Sequence, residues 1–145
     1  MSRAALDIAR RVYFDTNAII YFIEGSGTAQ TKIADVWFAL MARGVRIFIS
    51  EIGVAECLHG AFRRESFALE QAYTRLFFED AEFELWPVGL ASLLAAARIG
   101  ALHRLKLVDA IHFQAATDSG CEVFLTNDHR FRSSAALQVA LISDL

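Results

Sequence analysis

The apolar residues of the chain fall into short runs separated by polar residues or glycines. Residues 11–14, 46–49, 83–86, 122–125 and 139–142 are runs rich in Val, Ile, Phe and Leu, each bounded by polar or turn-forming residues. Runs of this length and composition predict β-strands. We therefore expect five strands, spread along the whole chain.

Helical spacing of apolar residues fills the intervals between these strands. Between the first two strands the repeating positions are Ile33, Val36, Trp37, Leu40 and Met41. Gly44 follows as a natural helix stop, a second repeat spans 90–101, and 108–117 is apolar on most sides and predicts a largely buried helix. Strands alternating with helices predict an α/β fold, a three-layer sandwich with a central parallel sheet of about five strands covered by helices.

Composition narrows this prediction to one packed domain, residues 1–145. The chain is 55% hydrophobic and has one proline. It lacks the continuous apolar run of about 20 residues that a membrane span needs, and residues 1–11 do not resemble a signal peptide. We therefore expect a cytoplasmic protein with no membrane partner. Cys57 and Cys121 stand in apolar contexts, which favours reduced, buried thiols.

Four carboxylates stand in apolar surroundings, where an unpaired charge is costly: Asp15, Glu56, Asp109 and Asp128. Asp15 directly follows the first strand, and Asp128 comes three residues after Leu125. Ligands of parallel sheets bind beyond the carboxyl ends of the strands. We therefore expect the four acids to converge there around a divalent metal ion.

Each acid, taken singly, has a structural alternative. Asp15 with Asn17 could form an Asx turn or a helix cap, and Asp109 and Asp128 could be helix N-caps. Glu56 could pair with a nearby arginine, Arg63 or Arg64, on an exposed helix face. The conjunction of all four acids at one sheet edge favours the metal site.

The net charge of −3 at first argues against a nucleic-acid partner, because phosphate contacts need cations. Acids gathered around a metal contribute less to the field that a substrate feels. If these acids are discounted, the surface near two of them is locally positive, because four basic residues lie beside them in the sequence. These residues are Arg104, Lys106, Arg130 and Arg132.

Four segments resemble, in the right order, the motifs of PIN-domain nucleases. Residues 12–20 (VYFDTNAII) resemble the opening strand and acid, and 49–60 (ISEIGVAECLHG) resemble the second motif. The third and fourth motifs match 107–116 (LVDAIHFQAA) and 124–131 (FLTNDHRF). The compact motifs are most similar to VapC toxins, the ribonuclease half of bacterial toxin–antitoxin pairs. The ten residues before the first strand and Lys106 depart from that subfamily's pattern.

This resemblance implies a Mg²⁺- or Mn²⁺-dependent endoribonuclease that leaves 5′-phosphate and 3′-hydroxyl ends. Its catalytic and metal-binding residues would be Asp15, Glu56, Asp109 and Asp128. Asp15 and Asp109 would be the main ligands, and Glu56 and Asp128 would bind a second ion or position water. Thr126 and Asn17 would orient the ligands. Carboxylate oxygens suit Mg²⁺ and Mn²⁺ better than zinc.

Other mechanisms and functions stay open on the sequence alone. His112 or His129 could act as a general base beside the acids, although a histidine on a buried helix more often satisfies a packing hydrogen bond. The chain could also be a housekeeping RNA-processing nuclease, or a PIN-like scaffold that binds RNA or protein without cleavage. A phosphotransfer domain of receiver type would need an acid after the third strand, where Trp86 and Pro87 stand instead.

An apolar surplus on two predicted helices indicates a protein partner. The crowded residues are Phe62, Phe67, Leu69, Tyr73, Leu76, Phe77 and Phe78. They could pack the core or face a partner. The resemblance implies that the partners, besides the RNA substrate, are a VapB-like antitoxin and a second copy of the chain in a homodimer.

Overall fold

Five short runs of apolar residues form the strands of one sheet in the computed structural model, which describes residues 2–145. The strands are β1 (Arg11–Phe14), β2 (Arg46–Ser50), β3 (Phe83–Trp86), β4 (Val123–Thr126) and β5 (Gln138–Leu141). All five predicted strands are confirmed, with β1 and β3 at their predicted bounds. Strands β4 and β5 each lie one residue from the predicted position, because Thr126 still pairs with Leu141 at the end of the ladder.

Every neighbouring pair in the sheet is parallel, and the strand order is β3-β2-β1-β4-β5. The chain builds the sheet outward from β1 in one direction through β2 and β3, then returns to the other side of β1 with β4. The order therefore reverses between β1 and β4. In an open parallel sheet a crevice forms beyond the strand ends at such a reversal, and ligands bind there.

Helices cover both faces of the sheet. They are α1 (Ser2–Ile8), α2 (Thr16–Glu24), α3 (Gly27–Ala42), α4 (Glu51–Arg63), α5 (Phe67–Thr74), α6 (Leu90–His103) and α7 (Leu107–Asp118). A π-helical turn (Arg75–Glu79) follows α5, and a 3₁₀ turn (Ile142–Asp144) ends the chain. Helix α3 ends two residues before Gly44, whose φ of +70° suits glycine, as the sequence predicts.

Side chains of β1 point alternately into two hydrophobic cores, one on each face of the sheet. Val12 and Phe14 point into the larger core with side chains of α2, α3, α4 and α5, whereas Tyr13 packs on the other face against Phe124 and α7. The side-chain period of two along a strand produces this division. The predicted three-layer α/β sandwich is therefore confirmed.

Only part of the aromatic surplus is absorbed by the core. Tyr73, Leu76 and Phe77 are buried. In contrast, three phenylalanines keep more than half of their surface exposed: Phe62, Phe67 and Phe78. Both thiols are buried and unpaired, as predicted. None of the helices formed by residues 2–145 combines the length and the apolar character needed to cross a membrane.

Candidate active site

Asp15 directly follows β1, at the carboxyl end of the sheet where the strand order reverses between β1 and β4. Its Oδ1 accepts a hydrogen bond from the backbone N–H of Thr16 at 2.9 Å and so caps α2. Its Oδ2 accepts bonds from Thr126 Oγ1 at 2.8 Å and from Asn17 Nδ2 at 3.0 Å. Asp15 is thus both the helix cap that its sequence context allows and a buried carboxylate fixed at a strand tip.

Burial raises the pKa of Asp15, and the neighbouring His112 charge and the Thr126 hydrogen bond offset this shift only in part. A raised pKa means that the ionised carboxylate is less favourable here than in water. A cation close to Asp15 would compensate for that cost.

Glu56 lies on α4, one turn after its first residues, and points at a buried histidine of α7. Its Oε1 accepts bonds from His112 Nε2 at 2.5 Å and from Thr16 Oγ1 at 2.8 Å. Ser50 caps α4 by accepting a bond from the Gly53 N–H at 3.3 Å. The surface pair with Arg63 or Arg64 does not form, because Arg64 pairs with Glu24 instead.

A relay of hydrogen bonds fixes His112 from behind. Tyr13 Oη accepts the Ser50 N–H at 3.0 Å and forms a second hydrogen bond, 2.7 Å long, with His112 Nδ1. Burial, the largest influence, lowers the pKa of His112, but the bond to Glu56 and the charge of Asp15 together raise it above its ordinary value. Burial raises the pKa of Glu56, but the hydrogen bond and charge of His112, together with the Thr16 bond, lower it below its ordinary value. His112 therefore holds Glu56 ionised and oriented.

Asp109 and Asp128 form the other half of the site. Asp109 lies in the first turn of α7, where Lys106 is the cap residue, and Asp128 follows β4. The Arg130 guanidinium bridges them, donating from Nη2 to Asp109 Oδ2 at 3.1 Å and from Nε to both Asp128 oxygens at 3.0 and 3.1 Å. Neither acid is the helix N-cap that the sequence allowed.

The two halves of the site affect each other electrostatically. Burial raises the pKa of Asp109, Arg130 lowers it, and the charges of Asp128 and Glu56 raise it further. The charge of Asp109 in turn raises the pKa of Asp15. Hydrogen bonds from Arg130 lower the pKa of Asp128. Four acids from separate segments therefore share one electrostatic environment at one end of the sheet.

This donor set suits a divalent cation by its chemistry. All four donors are carboxylates, and burial disfavours the ionisation of two of them, Asp15 and Asp109. The Asp109–Asp128 pair already binds one cationic group, the Arg130 guanidinium. Within 2–145, however, no three His, Cys, Asp or Glu side chains are gathered closely enough to ligate one ion. Each acid is instead hydrogen-bonded to a protein donor: Asp15 to Thr126, Glu56 to His112, and Asp109 and Asp128 to Arg130. Binding an ion would require these side chains to move.

Sequence reasoning missed two features of the site. The Tyr13–His112 relay joins residues far apart in sequence, although alternation in β1 places Tyr13 on the same face as Asp15. The sequence placed Arg130 beside Asp128, but its bridge to Asp109, 21 residues earlier in the chain, was not predicted. Thr126 and Asn17 do contact Asp15, as predicted for orienting groups.

Both histidine alternatives can be placed in the structure. His112 exposes 1% of its surface, and both ring nitrogens are hydrogen-bonded within the protein, so its position is that of a fixed supporting group. His129 lies at the rim, with Nε2 3.4 Å from Ser143 Oγ. It lines an open cleft of about 370 Å³ beside Asp128, together with Asn17 and Tyr21.

Comparison with known proteins places this arrangement in a family. A family model described as PIN domain matches residues 12–137. Among solved structures, a chain of a toxin–antitoxin complex from Klebsiella pneumoniae aligns with a TM-score of 0.64 and 24% identity, covering 87% of this chain and 94% of that one. No curated protein sequence matches the chain.

Two further structures share the fold at lower identity. A chain of VapBC2 from Rickettsia felis bound to a promoter DNA fragment aligns with a TM-score of 0.68 and 18% identity over 89% of this chain and 96% of that one. A chain of DNA-bound VapBC from Salmonella typhimurium aligns with a TM-score of 0.66 and 16% identity over 91% and 98%. The family model covers most of the chain, and the chain therefore belongs to the PIN-domain family.

Proposed function

We propose that the chain is a divalent-metal-dependent endoribonuclease that hydrolyses RNA phosphodiester bonds. The observation that carries this proposal is the electrostatic coupling of four acids beyond the β1–β4 crevice of a PIN domain. Carboxylate oxygens in such a crevice are the ligands that Mg²⁺ and Mn²⁺ prefer. The ligands would be Asp15, Glu56, Asp109 and Asp128.

The bound ion would supply activation of water and neutralisation of the charge on the scissile phosphate. The chain's own residues supply orientation. Thr126 and Asn17 fix one oxygen of Asp15, and His112 fixes Glu56, so each carboxylate is held by a neutral or cationic donor. Such supporting hydrogen bonds commonly keep ligands in position around metal ions.

The open cleft beside Asp128 offers a place for single-stranded RNA. It is lined by an aromatic ring, two amides and the cationic Arg130: the named residues are Tyr21, Asn17, Asn127 and Arg130. Aromatic rings stack on unpaired bases, and amides and guanidinium groups bind base edges and phosphates. These properties favour an RNA with unpaired nucleotides as the substrate.

We further propose that the protein is the toxin of a VapBC-type pair and acts in the cytoplasm. The fold shared with chains of toxin–antitoxin complexes supports this role, and the exposed Phe62, Phe67 and Phe78 supply apolar surface for an antitoxin or a second copy. Light scattering of the purified chain would test the homodimer. Co-purification with the product of a small adjacent gene would test the antitoxin.

Cleavage of a mixed panel of structured and single-stranded RNAs tests the nuclease. We expect cleavage in Mg²⁺ or Mn²⁺, loss in EDTA, and loss in Asp15→Asn. The matched control is Asp35→Asn, the same substitution at an exposed position of α3, which should cleave like the wild type. If the antitoxin-free wild type cuts no RNA and binds no divalent ion, a scaffold function replaces the proposed one. Cleavage without an antitoxin gene would favour a housekeeping nuclease.

A further inference from the structure

Arg130 occupies a position that bears on how the site would accept an ion. Its guanidinium lies between Asp109 and Asp128, the two acids contributed by α7 and by the segment after β4. Asp128 also accepts the Arg130 backbone N–H at 2.9 Å. Both oxygens of Asp128 and one oxygen of Asp109 are therefore engaged by a single residue.

The carboxylates are more buried than the arginine that bridges them. The side chain of Arg130 is 51% exposed, compared with 22% for Asp109 and 17% for Asp128. The guanidinium therefore closes the acid pair from the solvent side. Because about half of its surface is exposed to solvent, the guanidinium can move away from the two acids by rotation about the side-chain bonds of Arg130.

A guanidinium bonded to a carboxylate competes with a divalent ion for that carboxylate. Divalent ions bind carboxylate oxygens directly at roughly 2.0–2.6 Å, and the positive charge of the guanidinium repels the ion while its hydrogen bonds occupy some of the lone pairs. Arg130 also donates from one nitrogen to both acids, so losing the bond to either acid weakens the bridge as a whole.

Two clefts adjoin the guanidinium and could receive it. Arg130 lines the open cleft beside Asp128, and it also lines a smaller cleft of about 150 Å³ near His103 and Phe113. A phosphate in either cleft would attract the guanidinium away from the acids, because arginine binds phosphate in a bidentate manner.

We propose that Arg130 is a resident competitor that gates the metal site: its guanidinium holds Asp109 and Asp128 until an RNA phosphate draws it away, so that RNA binding strengthens metal binding. This inference rests on the proposed function and adds a coupling between its two ligands. By linkage, the divalent ion strengthens RNA binding by the same factor.

Mn²⁺ titration by calorimetry tests this gate without measuring catalysis. Arg130→Gln should bind Mn²⁺ about five- to tenfold more tightly than the wild type. Arg132→Gln is the matched control. It removes the same charge from a residue two positions away, and the Arg132 side chain donates only to the carbonyls of His129 and Phe131. It should leave the affinity unchanged.

A second titration tests the coupling. A single-stranded 2′-O-methyl RNA should raise the Mn²⁺ affinity of the wild type and of Arg132→Gln by a larger factor than that of Arg130→Gln, in which only the direct attraction between phosphate and ion remains. Arg130→Lys, which keeps the charge but cannot bridge two carboxylates with one planar group, should bind Mn²⁺ more tightly than the wild type. Circular dichroism melts confirm that each variant is folded.

The outcomes separate this inference from the proposed function. If the wild type binds Mn²⁺ and Arg130→Gln binds it no more tightly than Arg132→Gln, the gate is wrong and the metal site stands. Equal effects of the RNA analogue on the wild type and on Arg130→Gln would also overturn the gate. If no variant binds Mn²⁺, with or without RNA, the gate and the proposed function are both wrong.

Discussion

At the scale of single residues, the site combines two carboxylates whose ionisation the fold disfavours, Asp15 and Asp109, with hydrogen-bond donors that hold the acids in place. Asp15 is the clearest example, because burial raises its pKa while three hydrogen bonds fix both of its oxygens. Such a group weakens the folded state in order to serve a ligand.

Asp15→Asn should gain stability relative to the wild type as the pH rises. The folded-state pKa of Asp15 lies above the ordinary value of 3.8, so the folded protein binds its proton more tightly than the unfolded chain does. At pH 3 both states are protonated and no penalty exists, whereas at pH 7 only the wild type has an ionised carboxyl to bury. The difference in unfolding free energy between variant and wild type should therefore shift in favour of the variant from pH 3 to pH 7.

Urea unfolding of both proteins at pH 3 and pH 7 in EDTA measures this shift. Comparing the two pH values cancels any constant effect of the amide on the hydrogen bonds. If the unfolding free energies of variant and wild type differ by the same amount at both pH values, the buried carboxyl carries no ionisation penalty. Adding Mn²⁺ at pH 7 should stabilise the wild type more than the variant.

Tyr13→Phe should destabilise the protein by about 2–3 kcal/mol, because it leaves two buried groups without partners. These groups are the Ser50 N–H and His112 Nδ1. Tyr21→Phe is the control, since the Tyr21 hydroxyl lies 3.4 Å from its partner on an exposed surface. Its stability should stay within about 0.5 kcal/mol of the wild type. Chemical denaturation gives both values, and equal effects would contradict the assigned role of the relay.

Candidate residues were predictable from the sequence to the extent that their contacts are local. Asp15, Asn17 and Thr126 lie at or just after the carboxyl ends of neighbouring parallel strands, so their proximity could be predicted. The partners of Glu56 could not, because His112 reaches it from a helix 56 residues later. Contacts of that kind depend on how α4 and α7 pack, and apolar spacing does not specify this packing.

At the scale of elements, the site depends on how closely α4 approaches α7. Gly53 permits this approach, because a Cβ atom there would lie 2.5 Å from the Ile49 side chain and 3.0 Å from His112 Cε1. The glycine is therefore needed for space and not for an unusual backbone angle. It lets His112 reach Glu56.

Gly53→Ala should destabilise the protein by about 1–3 kcal/mol through overpacking and should weaken Mn²⁺ binding by displacing His112 and Glu56. Gly60→Ala lies in the same helix, where an added Cβ meets no atom within 4 Å. It should stabilise the protein by about 0.5–1 kcal/mol, because alanine is the better helix former. Thermal melts and Mn²⁺ titrations of both variants test the pair, and an effect of the same sign in both would refute the packing argument.

The strands were predictable because a parallel sheet buries both of its faces and so gives continuous apolar runs. Helix α1 was not predicted, since seven residues give too little periodic pattern. Its docking instead depends on a distant residue, Arg43, which donates to the carbonyls of Leu6 at 2.9 Å and Ala9 at 2.7 Å. Tertiary contacts of this kind decide whether a short helix forms.

At the scale of the whole molecule, the two cysteines report on the two layers of the sandwich. Cys57 belongs to the core on one face of the sheet and Cys121 to the core on the other. Burial raises the pKa of both thiols, in Cys121 to about 11. Because the thiolate is the reactive form, neither cysteine should react with Ellman's reagent at pH 8 in the folded protein.

Both thiols should react fully in denaturant, and intermediate urea concentrations should expose them together if the two layers unfold as one unit. Reaction of one thiol under native conditions would show that its layer opens separately. Mass spectrometry of the labelled protein distinguishes the two sites.

Analysis of the product ends would show whether the acids at the β1–β4 crevice support metal-dependent hydrolysis of RNA. The purified chain, free of any antitoxin, is incubated with a single-stranded RNA and Mn²⁺, and the new termini are identified by mass spectrometry. We expect 5′-phosphate and 3′-hydroxyl ends that are absent in EDTA and with Asp15→Asn. Products with 2′,3′-cyclic phosphate ends, or cleavage that survives both controls, would contradict this expectation.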